Sequence, residues 1–238
     1  MIDAEEKSTE VAAEKGGEVF SCEDITDEVV LDSRLGIFHR TERWLAASDL
    51  HFGYEVSRRA EGGLWPMWGM EAIVRRLRDM VGTWNPDRLI LVGDVVDSAA
   101  APQEAVAWLG MLSELEPELI LIEGNHDRGE VRRAFDFLPS YVTGEFFFHH
   151  GHRDLCEREG ACRIEVTGHL HPSVRFADGA GLSLRLPALT REVFSGGDEV
   201  WRLPAFSPWA GGHPVRAIDS NNDLQQWACG GGRIIEVE

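Results

Sequence analysis

The stretch DRLILVGD, residues 87–94, holds four apolar residues in a row and then stops at Gly-Asp. A short apolar run of this kind reads as a strand buried on both faces, as strands inside parallel sheets are. Its carboxyl end delivers a carboxylate. Upstream, residues 69–84 (GMEAIVRRLRDMVGTW) set Ile73, Leu77, Met80 and Val81 on one helical face. Before that helix, RWLAAS (43–48) is another β-like run, ending in SDLHFG. The unit is strand, helix, strand.

The unit repeats. Pro102 opens a second helix with Ala105, Leu109 and Leu112 along one side, and ELILIEGNHD (118–127) is again a buried strand running into polar residues. GEFFFHHGH (144–152) and CRIEVTGHLH (162–171) are two more strands with the same kind of ending. Ahead of the first unit, EVVLD (28–32) and RLGIFHR (34–40) are short strands, with RTER (40–43) as a turn. After Pro172, SVRFAD, SLRLPAL, REVFSG, EVWRLPAF and the terminal RIIEVE read as short strands with Gly and Pro turns between them. A βαβ first part and a mostly β second part predict an α/β fold of two mixed β-sheets packed as a sandwich and flanked by helices.

The chain has 238 residues, 43% of them hydrophobic, enough to bury a sizeable core. Residues 1–17 are polar and acidic without aromatics and are expected to be disordered, leaving 18–238 as one domain. The net charge is −18; the first thirty residues carry ten acids against Lys7 and Lys15, and the remainder is still net negative. Such a body repels a phosphate backbone, which argues against tight, salt-dependent binding to duplex nucleic acid, although bound divalent cations would change the field locally. The four cysteines are scattered, with Cys156 and Cys162 read as ordinary thiols. No stretch has the pattern of a signal peptide or the length of a transmembrane span. A reduced, cytoplasmic setting away from membranes is the expectation.

Five strands thus end in polar clusters, at residues 48–53, 93–97, 124–127, 149–152 and 168–171. In an open α/β sheet the loops at the carboxyl ends of strands converge on one crevice. Seven of the nine histidines lie in these clusters (His51, His126, His149, His150, His152, His169 and His171), a concentration that a solvated surface does not produce. Carboxylate, imidazole and amide oxygen together suit manganese, iron or zinc, whereas magnesium and calcium usually take oxygen-only shells. Two such metals roughly 3.5–4 Å apart form the usual clamp for in-line attack at phosphorus, and one carboxylate must bridge them. Asp94 is the candidate, because the glycine before it lets the chain turn sharply at the strand end.

The ordered set DxH (49–51), GDxxD (93–97), GNHD (124–127), HG (150–151) and GHxH (168–171) resembles the calcineurin-like metallophosphoesterase superfamily, and as a set it is highly specific. The resemblance implies the four-layer fold of that superfamily and two divalent metal ions, manganese first, with iron or zinc as alternatives. It implies that Asp49, His51, Asp94 and His171 hold one metal and that Asp94, Asn125, His150 and His169 hold the other, so that the two histidines of GHLH serve different metals. Catalysis would rest on Asp94 and on His126, which would contact the phosphate and stabilise or protonate the leaving oxygen.

Other residues near the motifs have two readings each. Asp97 is an acceptor orienting a ligand histidine or a helix N-cap, rather than a ligand. His149 alternates to the far side of its strand, and His152 is substrate-side or exposed. Arg128 meets a phosphate or makes a surface ion pair. Trp65 and Trp68, in GLWPMWG (63–69), stack on a base or sugar or are buried packing, and packing is the reading preferred.

GHLHPSVRF (168–176) and RLPAFSPWAGGHPV (202–215) further resemble the ligase-associated DNA-processing metallophosphoesterases of bacteria, with Tyr54 where that branch commonly has lysine and Asp97 where it often has histidine. That resemblance implies a manganese-dependent phosphodiesterase or nuclease acting on a phosphodiester such as single-stranded or damaged DNA, or on cyclic nucleotides. The alternative is a phosphomonoesterase acting on nucleotides or phosphoproteins. Intact candidate ligands argue against a non-catalytic module.

Overall fold

The computed structural model describes residues 13–15, 18–97, 102–114, 117–153, 162–177 and 179–237. Its elements, in chain order, are β1 (Ala13–Lys15), β2 (Glu18–Phe20), β3 (Cys22–Asp24), β4 (Val29–Asp32), β5 (Gly36–His39), β6 (Trp44–Ser48), α1 (Tyr54–Ala60), α2 (Gly69–Trp84), β7 (Arg88–Val92), α3 (Pro102–Ser113), β8 (Glu118–Ile122), α4 (Glu130–Ala134), β9 (Phe137–Leu138), β10 (Ser140–Thr143), β11 (Phe146–His149), β12 (Ile164–Thr167), β13 (Ser173–Ala177), β14 (Ser183–Val193), β15 (Glu199–Arg202), β16 (Asp223–Gly230) and β17 (Arg233–Val237). β1 and β2 pair with each other in antiparallel fashion, Ala13 opposite Phe20. Residues 1–12, 16 and 17, and Cys156, lie outside the described residues.

Two mixed sheets carry the fold. The first has the order β3-β4-β5-β6-β7-β8-β9, antiparallel up to β6 and parallel from β6 onward. The second has the order β10-β11-β12-β15-β14-β16-β17, with β13 paired to β14; its parallel part is β11-β12-β15. Apart from the two-residue β9, the parallel strands are runs read from the sequence, and β6, β7 and the carboxyl-end half of β8 are buried. Between the sheets Trp44 of β6 meets Phe146 and Phe148 of β11 edge-on at 5.0 and 5.1 Å, and within the second sheet Phe146 meets Trp201 of β15 at 5.9 Å. Edge-to-face rings at such separations are favoured beyond the area they bury.

Among the described residues every helix precedes Phe135. α2 buries Ile73, Leu77 and Met80, and its Trp84 stacks on Phe38 of β5 at 4.8 Å; Val81, assigned by periodicity to the same face, is half-buried. α3 buries Ala105, Leu109 and Leu112 together with Trp108, which stacks on Phe52 at 4.4 Å. The runs SLRLPAL and REVFSG, read as two strands, form the single strand β14. Pro187 lies where β14 passes from pairing with β13 to pairing with β16, the kind of position at which a residue without an N–H donor is tolerated. β16 itself was not read from the sequence because its first half is polar and only partly buried.

Candidate dinuclear metal site

Strand register assembles the polar clusters. Ser48, Val92 and Ile122 stand level across β6, β7 and β8, so the chain leaves the first sheet toward Asp49, Asp94 and Asn125 at one height. In the second sheet Phe148 and Val166 pair across β11 and β12, which brings the His149–His152 and Gly168–His171 loops together. A bridge from Ser48 to Ala205 ties the end of β6 to the segment that follows β15.

Backbone conformation then turns the side chains inward. Among the described residues eight non-glycine residues have positive φ, and five of them are Asp49, His51, Asp94, His169 and His171, with φ between 46° and 66°. The left-handed region costs an L-residue roughly 1–2 kcal/mol. Asp and His are among the side chains found there more often than most, and such strain persists where surrounding structure over-determines it, typically at functional sites. The result at GHLH is that His169 and His171 diverge. The His169 ring lies 5.0 Å from that of His150, whereas His171 Nε2 lies 3.1 Å from Asp49 Oδ1 and 3.3 Å from His51 Nε2.

Three groups of donor atoms result, each within 4.8 Å: Asp49, His51 and His171; His51, Asp94 and His126; and Asp94, His150 and His169. His51 is shared by the first and second, and Asp94 by the second and third. Its Oδ2 is 3.3 Å from His150 Nε2 and 3.9 Å from both His51 Nε2 and His126 Nε2, while its Oδ1 accepts the His126 backbone N–H at 2.8 Å. Burial alone would raise the Asp94 pKa, but the facing His150 ring, when it is protonated, and the His126 N–H outweigh it and hold the group at about 2. Asp49 is fully buried and accepts the His169 N–H on both oxygens, at 3.1 and 3.0 Å.

The residues present fit a pair of cations. His150 Nδ1 lies 3.2 Å from the Val92 carbonyl, to which it can donate; this leaves Nε2, buried and without a hydrogen-bond partner, facing the Asp94 carboxylate. The side-chain oxygen of Asn125 is likewise buried with no donor. A buried acceptor left unpaired costs about 1–3 kcal/mol, and a divalent cation is the partner that would satisfy an imidazole lone pair, an amide oxygen and a carboxylate at once.

The flanking residues sort by what they touch. Asp97 Oδ1 lies 3.2 Å from His126 Nδ1 and 3.5 Å from His51 Nδ1, the geometry of an acceptor orienting two rings whose Nε2 atoms point into the clusters. Although burial opposes it, contact with His126, His51 and Ser57 keeps the Asp97 carboxyl ionised, well below the usual carboxylate range. The same contact with Asp97 raises the His126 pKa. His126 is 38% exposed at its side chain, against 9% for His51 and none for His150, so solvent and substrate can reach it. His149 pairs with Glu165 at 2.9 Å instead of joining the clusters. His152 is half-buried, its ring 5.2 Å from that of His150, and burial followed by the neighbouring His150 lowers its pKa. Arg128 Nε donates to the Asn125 carbonyl at 2.8 Å, so this guanidinium braces the motif loop.

Two features escaped the reading of the sequence. Asp127 accepts the Val96 N–H at 2.9 Å and the Gly124 N–H at 2.8 Å, clamping the GDxxD and GNHD loops together, and burial pushes its pKa up to about 6. Its place as the fourth residue of GNHD was the only available signal. The segment after β15 buttresses the site from behind: Ser207 N–H donates to the Asp49 carbonyl at 3.0 Å and His213 N–H to the His171 carbonyl at 2.8 Å. Trp65 is half-buried and Trp68 is 47% exposed, which corrects the expectation of buried packing for Trp68. Trp68 immediately precedes α2, and its ring packs against Trp209 at 4.5 Å while about half of it stays in solvent.

Close approach explains the motif glycines. A Cβ on Gly124 would stand 2.1 Å from both the Asp94 nitrogen and its Oδ1, and one on Gly93 would stand 2.2 Å from the His150 ring. Gly124→Ala is therefore expected to displace Asp94, lower the melting temperature by about 2–12 °C for a cost of about 1–3 kcal/mol, and reduce bound metal. Gly110→Ala on α3, where the added carbon meets nothing within 4 Å, is the control and should raise stability slightly. Thermal melts and elemental analysis of the two variants check the contrast.

The fold and this donor set define a metal-dependent phosphoesterase. The chain belongs to the family described as Calcineurin-like phosphoesterase, whose profile matches residues 43–224. Among solved structures, the Pseudomonas putida nuclease MPE is 22% identical, covering 92% of this chain and 100% of that one with a TM-score of 0.65. Yfce, a phosphoesterase from E. coli, is 17% identical, covering 82% and 97% with a TM-score of 0.43. No curated protein matches the chain by sequence. No helix among the described residues is long and apolar enough to cross a membrane.

Proposed function

We propose that the protein is a manganese-dependent phosphodiesterase that cleaves unpaired DNA, of the ligase-associated kind that its GHLHP and WAGGHP segments resemble. In this reading Asp49, His51, Asp94 and His171 hold one metal, and Asp94, Asn125, His150 and His169 hold the other. The observation that carries it is Asp94 Oδ2 standing between two histidine groups, with the unpaired His150 Nε2 and Asn125 oxygen beside it. Two divalent cations held by these residues would supply Lewis-acid activation of water and would neutralise charge developing on the phosphoryl oxygens. The chain's own residues do the rest. Asp97 holds the His51 and His126 rings, Asp127 locks the two loops in register, and the exposed, Asp97-supported His126 donates a proton to the leaving oxygen.

A diester is favoured over a monoester by charge. A monoester dianion calls for more positive charge around the phosphate than a diester monoanion; of the guanidiniums next to the motif loops, Arg153 is paired with Glu123, and Arg128 gives its Nε–H to the Asn125 carbonyl. The nuclease name borne by the Pseudomonas putida structure accords with this choice. A body of net charge −18 neutralises few phosphates, so log K for a single strand should fall only shallowly with log salt, at roughly −0.7 per phosphate contacted. Duplex DNA, which would press its second strand against acidic surface, should be cut little. The test is a manganese-supplemented comparison of a chromogenic diester, the matching monoester, unpaired DNA and intact duplex. Faster turnover of the monoester would reassign the protein as a phosphomonoesterase, and preference for intact duplex would overturn the electrostatic argument.

A further inference from the structure

Beside the metal loops the surface carries a ridge of aromatic rings. Tyr54 meets Trp65 edge-on at 5.3 Å, Trp65 meets Trp209 edge-on at 5.2 Å, and Trp209 packs against Trp68 at 4.5 Å. Trp68 and Met67 are 47% and 46% exposed, and Leu64 stands fully in solvent. The ridge is built and held. Glu55 is completely buried; its Oε1 accepts the Met70 N–H at 2.8 Å and its Oε2 the indole N–H of Trp209 at 3.1 Å. Burying a carboxylate is costly unless it is bonded, and here its bonds fix Trp209 and the start of α2 side by side. Gly69 leaves no slack, since a Cβ there would meet the Trp209 indole nitrogen at 2.2 Å.

The ridge is also tethered to the metal site at both ends. Tyr54 N–H donates to the His51 carbonyl at 3.0 Å, three residues along the chain, which keeps their Cα atoms within about 11 Å. Trp209 follows Ser207, whose N–H holds the Asp49 carbonyl at 3.0 Å. A strand with one phosphate at the metals would therefore carry a neighbouring base past these rings. Arg58 lies 5.0 Å over the Tyr54 ring and pairs with Glu61, and Arg59 donates to the Trp65 carbonyl, so the flanking cations are already committed.

We infer that Trp65 and Trp68, supported by Trp209, form a stacking platform for an unpaired nucleobase next to the scissile phosphate. The inference rests on the phosphodiesterase reading and adds to it the means of holding the strand. An acidic protein gains little affinity from phosphate contacts, whereas stacking on an indole needs no charge and accepts any base.

The test separates binding from turnover. In EDTA, titration of the protein with oligo(dT) should quench tryptophan fluorescence; Trp68→Ala should weaken that binding about tenfold and Trp68→Phe should restore most of it, because a ring remains. In manganese, the wild type should cleave a base-bearing strand more efficiently than an abasic strand of equal length. That preference should collapse in Trp68→Ala through a rise in KM and not a fall in kcat. Trp65→Ala, measured with its melting temperature, serves as the second variant. Unchanged binding and KM in both variants, or conversion of a dimer to a monomer by Trp68→Ala in sedimentation, would overturn the platform while leaving the enzyme's activity on DNA intact. Quenching lost in Trp68→Ala but no DNA cleavage by the wild type would keep the platform and defeat the phosphodiesterase reading.

Discussion

Asp94→Ala is expected to release both metals and to lower turnover by more than about 10³-fold, the scale of the several kcal/mol that metal charge contributes to a phosphoryl transition state. The reason is position. Asp94 Oδ2 approaches His150 on one side and His51 on the other, so its loss removes the anionic donor from two groups at once. It also leaves the partly buried backbone N–H of His126 without its acceptor. His171→Ala removes a ring that lies against Asp49 and His51 and should weaken mainly one metal. Elemental analysis distinguishes the two variants. Thermal melts provide a second measure: a ligand that binds only the folded state raises its stability in proportion to the logarithm of its concentration. Manganese should therefore raise the melting temperature of the wild type and fail to raise that of Asp94→Ala. Two metals per chain retained in Asp94→Ala would defeat the bridging assignment.

His126→Ala should keep both metals and lose about 10²–10⁴ in rate, the usual contribution of a general acid. Its ring nitrogen Nδ1 is held by Asp97 at 3.2 Å, its Nε2 faces the cluster, and it is the most exposed of the three rings closest to Asp94. A proton donor matters most when the departing oxygen is strongly basic. The substitution should thus slow an unactivated DNA diester far more than a diester with a nitrophenol leaving group. Equal losses on both substrates would remove the acid role. Loss of a metal would instead make His126 a ligand, since its Nε2 belongs to a donor group with His51 and Asp94.

The sequence was informative wherever function is local. Apolar runs ending in Asp, Asn or His were recognisable because a buried strand needs uninterrupted apolar residues and the polar cluster begins at the next residue, as at Val92-Gly93-Asp94 and Ile122-Glu123-Gly124-Asn125. The helical faces of α2 and α3 were legible for the same reason, from periodicity within one segment. What was missed depends on partners distant in the chain. β16 is a strand because β14 and β17 flank it, not because of its composition. Trp68 was assigned to the interior by its residue type, yet its ring partner on the fold is Trp209, 141 positions away, and 47% of it remains exposed.

By itself, then, the chain determined which candidate donor residues stand at strand ends and in which order, because these are properties of short segments. The tertiary structure decided where each side chain points. Whether His169 and His171 share a group or separate depends on a left-handed backbone that neighbouring loops must hold in place. That Asp97 orients two rings, that Asp127 joins two loops and that residues 203–213 support Asp49 and His171 follow from approaches between segments remote in sequence. Local pattern carries no information about such approaches, since the free energy that fixes them arises only when the two sheets close on each other.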